Sequence, residues 1–140
     1  MSTIYSVEAL STGGGRDGHV STADRAIDFE MRAPKELGGS GEGLNPEQLF
    51  AAGFAACYHS ALHAVARQRK IKLTDSTVGA RVELVTVEDT GIKLAVHLEV
   101  SIPSQPHDIA LALAHEAEQM CPYSNATRGN IDVSVDVSDD

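Results

Sequence analysis

Between positions 77 and 102 apolar and polar residues alternate in two long runs. Val78, Ala80, Val82 and Leu84 share one side of the first; Ile92, Leu94, Val96, Leu98, Val100 and Ile102 share one side of the second. A period of two sends successive side chains to opposite faces, so each run predicts a strand with one buried face. Glu88-Asp89-Thr90-Gly91 between them has turn chemistry, which predicts a hairpin that Pro103 and Pro106 end. Ile131, Val133, Val135 and Val137 predict a closing strand over residues 130–137, and Ile27, Phe29 and Met31 a short half-buried strand earlier in the chain. Residues 3–10, rich in strand formers, predict a first strand. The glycine-rich stretch STGGGRDGH, residues 11–19, reads as a loop centred on Arg16, and residues 34–44, with four glycines and a proline, as a connection. Asp139-Asp140 reads as a frayed end.

Two segments carry the helical period instead. Residues 45–70 predict a helix of about seven turns. Asn45 can cap it, Pro46 suits the first helical position, and Glu47 places a negative charge near the positive end of the dipole. Arg67, Arg69 and Lys70 sit at the other end, where cations are favoured. No charge falls between Gln48 and Ala66, and a helix apolar on every side is normally buried on every side. Ile109, Ala112, Leu113, Ala117 and Met120 predict a second, amphipathic helix that stops at Cys121-Pro122. Strands, helix, hairpin, helix, strand, with antiparallel-looking strands and two helices packed on them, is the order of an α+β domain.

The 140 residues suit one domain, 1–140. The chain carries 20 acidic and 11 basic residues, a net charge of -9, which argues against a nucleic-acid partner. No apolar run free of polar interruption is long enough for a membrane span, and the N-terminus lacks the pattern of a secretory signal. Two cysteines without an export signal point to a reducing, cytoplasmic setting, where redox chemistry or core packing is the commoner use of a thiol pair.

The candidate chemistry therefore centres on Cys57 and Cys121. Cys57 lies about 18 Å past the helix cap, too deep for the helix dipole to stabilise a thiolate, and the basic residues of that helix begin about 15 Å further on. Burial alone would leave the thiol inert, so a reactive Cys57 needs a cation from another segment. Arg16, among Gly13, Gly14, Gly15 and Gly18, is the candidate; a solvated loop charge is the alternative. Glu47 can pair with an arginine, or simply stabilise its helix. About 15 Å of straight helix separates Glu47 from Cys57. A site containing both requires a bent helix or a second subunit, and Gly53 with the alanines at 51, 52, 55, 56, 61, 64 and 66 would allow close helix approach. His59 and His63 stand at i and i+4, a zinc spacing without a third ligand, so no metal is expected. His107 and His115 read as surface residues. Cys121 is either a packed helix-end residue or a resolving thiol.

Four motifs then carry a resemblance: GGRDG (residues 14–18), PKELGG (34–39), NPEQLFAAGFAAC (45–57) and CPYSNATRGNIDV (121–133). In that order, over nearly the whole chain, they resemble the organic hydroperoxide resistance (Ohr) proteins of the OsmC superfamily. The resemblance implies an OsmC-like fold with antiparallel sheets packed around a long buried central helix, an intertwined homodimer with sites at the interface, and a thiol peroxidase that reduces organic hydroperoxides. It implies Cys57 as the peroxidatic and Cys121 as the resolving cysteine, Arg16 as the group that activates the thiolate, and Glu47 as its partner. It also implies a lipoylated protein, presenting dihydrolipoamide, as reductant, with no bound cofactor. Phe50, Phe54 and Tyr123 are candidates for an apolar substrate pocket, or ordinary core residues. A redox-sensing or ligand-binding module, and an OsmC-type peroxidase of broader specificity, are the competing readings.

Overall fold

The computed structural model describes residues 1–89 and 91–138. The expectations for Thr90 in the hairpin turn and for Asp139-Asp140 lie outside them. The chain forms two compact units, Met1–Leu49 and Phe50–Asp140.

The first unit holds a three-stranded antiparallel sheet, β1 (Ala9–Gly13), β2 (Gly18–Thr22) and β3 (Asp28–Glu30). It corrects three expectations. Residues 1–8 form no strand and are exposed, although rich in strand formers, because strand propensity needs a neighbouring backbone to pair with. The glycine stretch is mostly strand: β1 and β2 run up to the glycines and leave only the tight Gly14-Gly15-Arg16-Asp17 turn. Gly13 and Gly15 take φ of 80° and 73°, the left-handed region glycine enters without penalty. The two backbones also meet at Gly18, where a Cβ would stand 2.0 Å from the Thr12 carbonyl oxygen. The third concerns β3, which is shorter than the predicted segment: Met31 is buried and Ile27 half-buried as the alternation requires, but Phe29 between them is 45% exposed. A single 3₁₀ turn (Lys35–Leu37) interrupts the connection before the long helix.

Helix α1 (Pro46–Gln68) matches the predicted segment. Its start is a reciprocal cap: Asn45 Oδ1 accepts from the Gln48 N–H at 2.8 Å, and Gln48 Oε1 accepts from the Asn45 N–H at 3.0 Å. By length and composition alone α1 could cross a membrane. In the fold one face, led by Phe54, Tyr58, Leu62 and Val65, packs into the core of the second unit. Ala52, Ala56 and Ser60 on another face are exposed in the single chain, so burial on every side does not hold there.

In the second unit β4 (Thr77–Val87) and β5 (Gly91–Ser101) form the predicted hairpin, paired from Thr77–Ser101 to Val87–Gly91. Val96, Leu98, Val100 and Ile102 are buried, while Ile92 at the far end is 61% exposed. Helix α2 (His107–Met120) sends Leu113 and Ala117 into the same core. The chain does not then pass straight to a strand. A further helix, α3 (Pro122–Thr127), follows Cys121 at once, and β6 (Val133–Val137) joins β5 in parallel. Alternation gives strand and face but not direction. The α2–α3 segment between β5 and β6 is the kind of helical crossover that parallel neighbours require.

Candidate active site

In the first unit, Arg16 at the tip of the β1–β2 turn reaches Glu47 in the first turn of α1. Arg16 Nη1 donates to Glu47 Oε2 at 2.8 Å and Nη2 to Oε1 at 2.6 Å. Two parallel N–H···O bonds fix the orientation of the guanidinium plane as well as its position. The Arg16 hydrogen bond holds the Glu47 carboxyl below its ordinary pKa against the opposing effect of burial, and Glu47 in turn raises that of Arg16. The Glu47 side chain is 16% exposed and that of Arg16 41%, so the carboxylate is the anchored member.

In the second unit the two cysteines meet. Cys57, midway along α1, and Cys121, between α2 and α3, have their sulfurs 3.6 Å apart, and both thiols are free. Spacing alone left this open, since 64 positions separate them. Cys121 is fully buried and Cys57 partly exposed. Cys57 opens on a groove of about 320 Å³ lined by Ser60, Ala61, Ala64, Met120 and Pro122.

Helix α3, which the sequence reading did not separate from the end of α2, brings backbone donors to both sulfurs. Cys121 is its N-cap, and its Sγ accepts from the Ser124 N–H at 3.5 Å. Pro at the position after a helix stop was the available signal, because it also marks the first residue of a new helix. Burial pushes the Cys57 thiol above its ordinary pKa; a hydrogen bond from the Tyr123 backbone N–H pulls it down, and the Cys121 thiol raises it further. Within its own unit, then, Cys57 is held mainly in the unreactive thiol form. The amide is insufficient compensation for lost solvent.

Phe50 and Phe54, one to two turns before Cys57 on α1, form an aromatic cluster with Tyr123 of α3. Their ring centroids are 5.6–6.1 Å apart with edge-to-face or tilted geometry. Phe54 is fully buried, so it is a core residue, whereas Tyr123 is 38% exposed. The two α1 histidines are otherwise engaged. His59 Nε2 lies 2.9 Å from Ser76 Oγ, the His59 and His63 rings are 4.9 Å apart, and burial lowers the His59 pKa, with His63 adding to it.

Comparison with known proteins gives the family. The OsmC-like protein family matches residues 39–136. The chain is 44% identical over 138 residues to the organic hydroperoxide resistance protein of Xanthomonas axonopodis pv. citri, covering 94% of this chain and 93% of that one. It is 42% identical over 125 residues to the organic hydroperoxide resistance protein OhrB of Bacillus subtilis, covering 89% and 91%. The crystal structure of an organic hydroperoxide resistance protein from Elizabethkingia anophelis superposes with a TM-score of 0.94 at 46% identity, over the full length of both chains. The α+β architecture predicted from the alternating strands is thus the OsmC fold, and the chain belongs to the organic hydroperoxide resistance proteins of the OsmC-like family.

Proposed function

We propose that the protein is a thiol peroxidase that reduces alkyl and fatty-acid hydroperoxides to alcohols, with Cys57 as nucleophile and Cys121 as resolving thiol. The observation that carries this reading is the 3.6 Å separation of two free sulfurs, one partly exposed and one buried. The Cys57 thiolate attacks one peroxide oxygen, the O–O bond breaks, and the alkoxide takes a proton and leaves as alcohol. Cys57 is then a sulfenic acid. Cys121 attacks that sulfur, water leaves, and a Cys57–Cys121 disulfide forms before the sulfenic acid can be oxidised further. A dithiol, dihydrolipoamide on a lipoylated protein, restores both thiols by exchange. No metal or bound cofactor takes part.

Arg16 supplies the cation that Cys57 lacks in its own unit, and Glu47 orients it. The upward push of burial on the Cys57 thiol supports the need, and the two-pronged Arg16–Glu47 pair supports a guanidinium aimed rather than free. Phe50 and Tyr123 offer apolar surface for an alkyl chain. A homodimer completes the fold in this reading: Ala52, Ala56 and Ser60 on α1, together with Ile4, Tyr5 and Val7 before β1, are exposed in the single chain. We assign it to the cytoplasm, where a reducing medium keeps the thiols available.

The test is peroxide consumption with dihydrolipoamide supplied. Cys57→Ser is expected to abolish turnover, and Cys121→Ser to retain one sulfenic acid per chain without forming a disulfide. Full turnover by Cys57→Ser would sink the mechanism. Equal efficiency on hydrogen peroxide and tert-butyl hydroperoxide would instead favour a peroxidase of broader specificity.

A further inference from the structure

The two sulfurs differ in a way that bears on the reductive half of the cycle. Cys121 is fully buried in the same cluster as Phe54, Leu113 and Ala117, so no external thiol can line up behind its sulfur. Cys57 is partly exposed along the groove beside Met120 and Pro122. Thiol–disulfide exchange requires the incoming thiolate to approach along the S–S axis from behind the sulfur it attacks, so access decides which sulfur that is.

Ser124 makes a second asymmetry. Its backbone N–H already donates to Cys121 Sγ at 3.5 Å. Its hydroxyl is the buried side-chain oxygen without a hydrogen-bond partner among the described residues, on a side chain 6% exposed. A helical side chain leans toward the residue three positions earlier, which here is Cys121. The hydroxyl makes no bond to Cys121 Sγ in the thiol state. A buried donor left unused is costly, and by turning about its χ1 bond this one can reach the sulfur three positions earlier once that sulfur becomes a thiolate.

We propose that reductive exchange has a fixed polarity, the dithiol attacking Cys57 while Cys121 leaves, and that Ser124 is a positioning residue holding the departing Cys121 sulfur. This deepens the thiol-peroxidase reading and rests on it. One thiolate of the reductant forms a bond to Cys57 Sγ; the Cys57–Cys121 bond breaks, and its electron pair goes to Cys121 Sγ, held by the Ser124 N–H and hydroxyl. The reductant's second thiolate then attacks its own sulfur in the mixed disulfide and releases Cys57 as thiolate onto the Tyr123 N–H. The two protons of the dithiol end on the two cysteines, and the reductant leaves as a cyclic disulfide.

The protein is oxidised with diamide, so the test does not depend on its reaction with peroxide, then exposed to 2-mercaptoethanol and quenched with iodoacetamide. Peptide mass spectrometry is expected to find the mercaptoethanol adduct on Cys57 and the alkyl group on Cys121. The adduct on Cys121, or on both residues equally, would overturn the proposal, as would failure of diamide to join the two sulfurs. Ser124→Ala is expected to slow disulfide reduction by dithiothreitol about tenfold, with Ser124→Thr restoring most of the rate. Equal rates in wild type and Ser124→Ala would remove Ser124 from the step, whatever the adduct map shows. A protein that diamide oxidises but hydroperoxides do not would instead count against the peroxidase reading alone.

Discussion

Gly53 lies directly beneath the Tyr123 phenol: a Cβ at that position would stand 2.9 Å from Tyr123 Oη and 3.3 Å from the ring. A glycine inside a helix costs roughly 0.5–1 kcal/mol against alanine, and here that cost leaves room for the one ring of the aromatic cluster that is substantially exposed. The backbone N–H of the same residue, Tyr123, lowers the Cys57 pKa. Its position therefore bears on both the apolar surface and the thiol.

Gly53→Ala is accordingly expected to separate stability from activity. The tyrosine hydroxyl is the far end of a partly exposed side chain and can swing outward, so the helix-propensity gain survives and Tm stays level or rises by about 2–4 °C. The displaced ring should lower kcat/KM for bulky hydroperoxides several-fold. Thermal melts and steady-state kinetics on cumene hydroperoxide check the two halves; a large fall in Tm would show that Tyr123 cannot move.

The state of Cys57 offers a second prediction. Burial raises its pKa, and the Cys121 thiol adds to the rise. Removing the cation with Arg16→Gln should move the pH midpoint of Cys57 alkylation upward and slow peroxide attack at pH 7 by about tenfold or more. Cys121→Ser should move the midpoint the other way. Iodoacetamide kinetics against pH read both shifts, and an unchanged midpoint in Arg16→Gln would contradict the assigned role of that residue.

The Arg16–Glu47 pair also implies a pH dependence of stability. Glu47 has its pKa lowered in the folded protein, so its contribution is fully present above the unfolded value of about 4.3 and fades as pH falls through the lower folded value. Because Arg16 is 41% exposed and screened by solvent, the contribution is about 1 kcal/mol or less. The stability gap between wild type and Glu47→Gln should be constant from pH 6 to 8 and close below about pH 4. Urea titrations across that range measure it; a gap that widens in acid would mean that the carboxylate is not the paired form.

Tyr58 tests the scaffold rather than the chemistry. Its hydroxyl donates to the Ala114 carbonyl oxygen at 2.7 Å, tying α1 to α2 in a fully buried setting, and burial pushes its pKa well up. Tyr58→Phe should cost about 1 kcal/mol, seen as a fall of about 2–4 °C in Tm. Rapid peroxide attack should persist, since the ring still fills the core.

Much of the fold was legible from local pattern. Strict alternation at Ile92 through Ile102 marked β5, and the Asn45-Pro46-Glu47 start marked α1, because side-chain period and capping are properties of the segment itself. The first strand failed for the complementary reason: residues 3–10 have strand formers, but strand pairing is decided by what lies alongside. The parallel direction of β6 and the separate helix α3 escaped for the same reason. Of the candidate site, the sequence by itself determined which groups could react: two thiols and an arginine on a glycine turn, with a carboxylate at a helix start. It also determined that helix α1 could not activate Cys57 from its own dipole, since the cysteine lies too many turns from the cap. Only the tertiary structure decided that the sulfurs stand 3.6 Å apart, that Arg16 and Glu47 meet two-pronged, and that the amides of Tyr123 and Ser124 each serve one sulfur. Such contacts join residues far apart in the chain, and no local period records the distance between them.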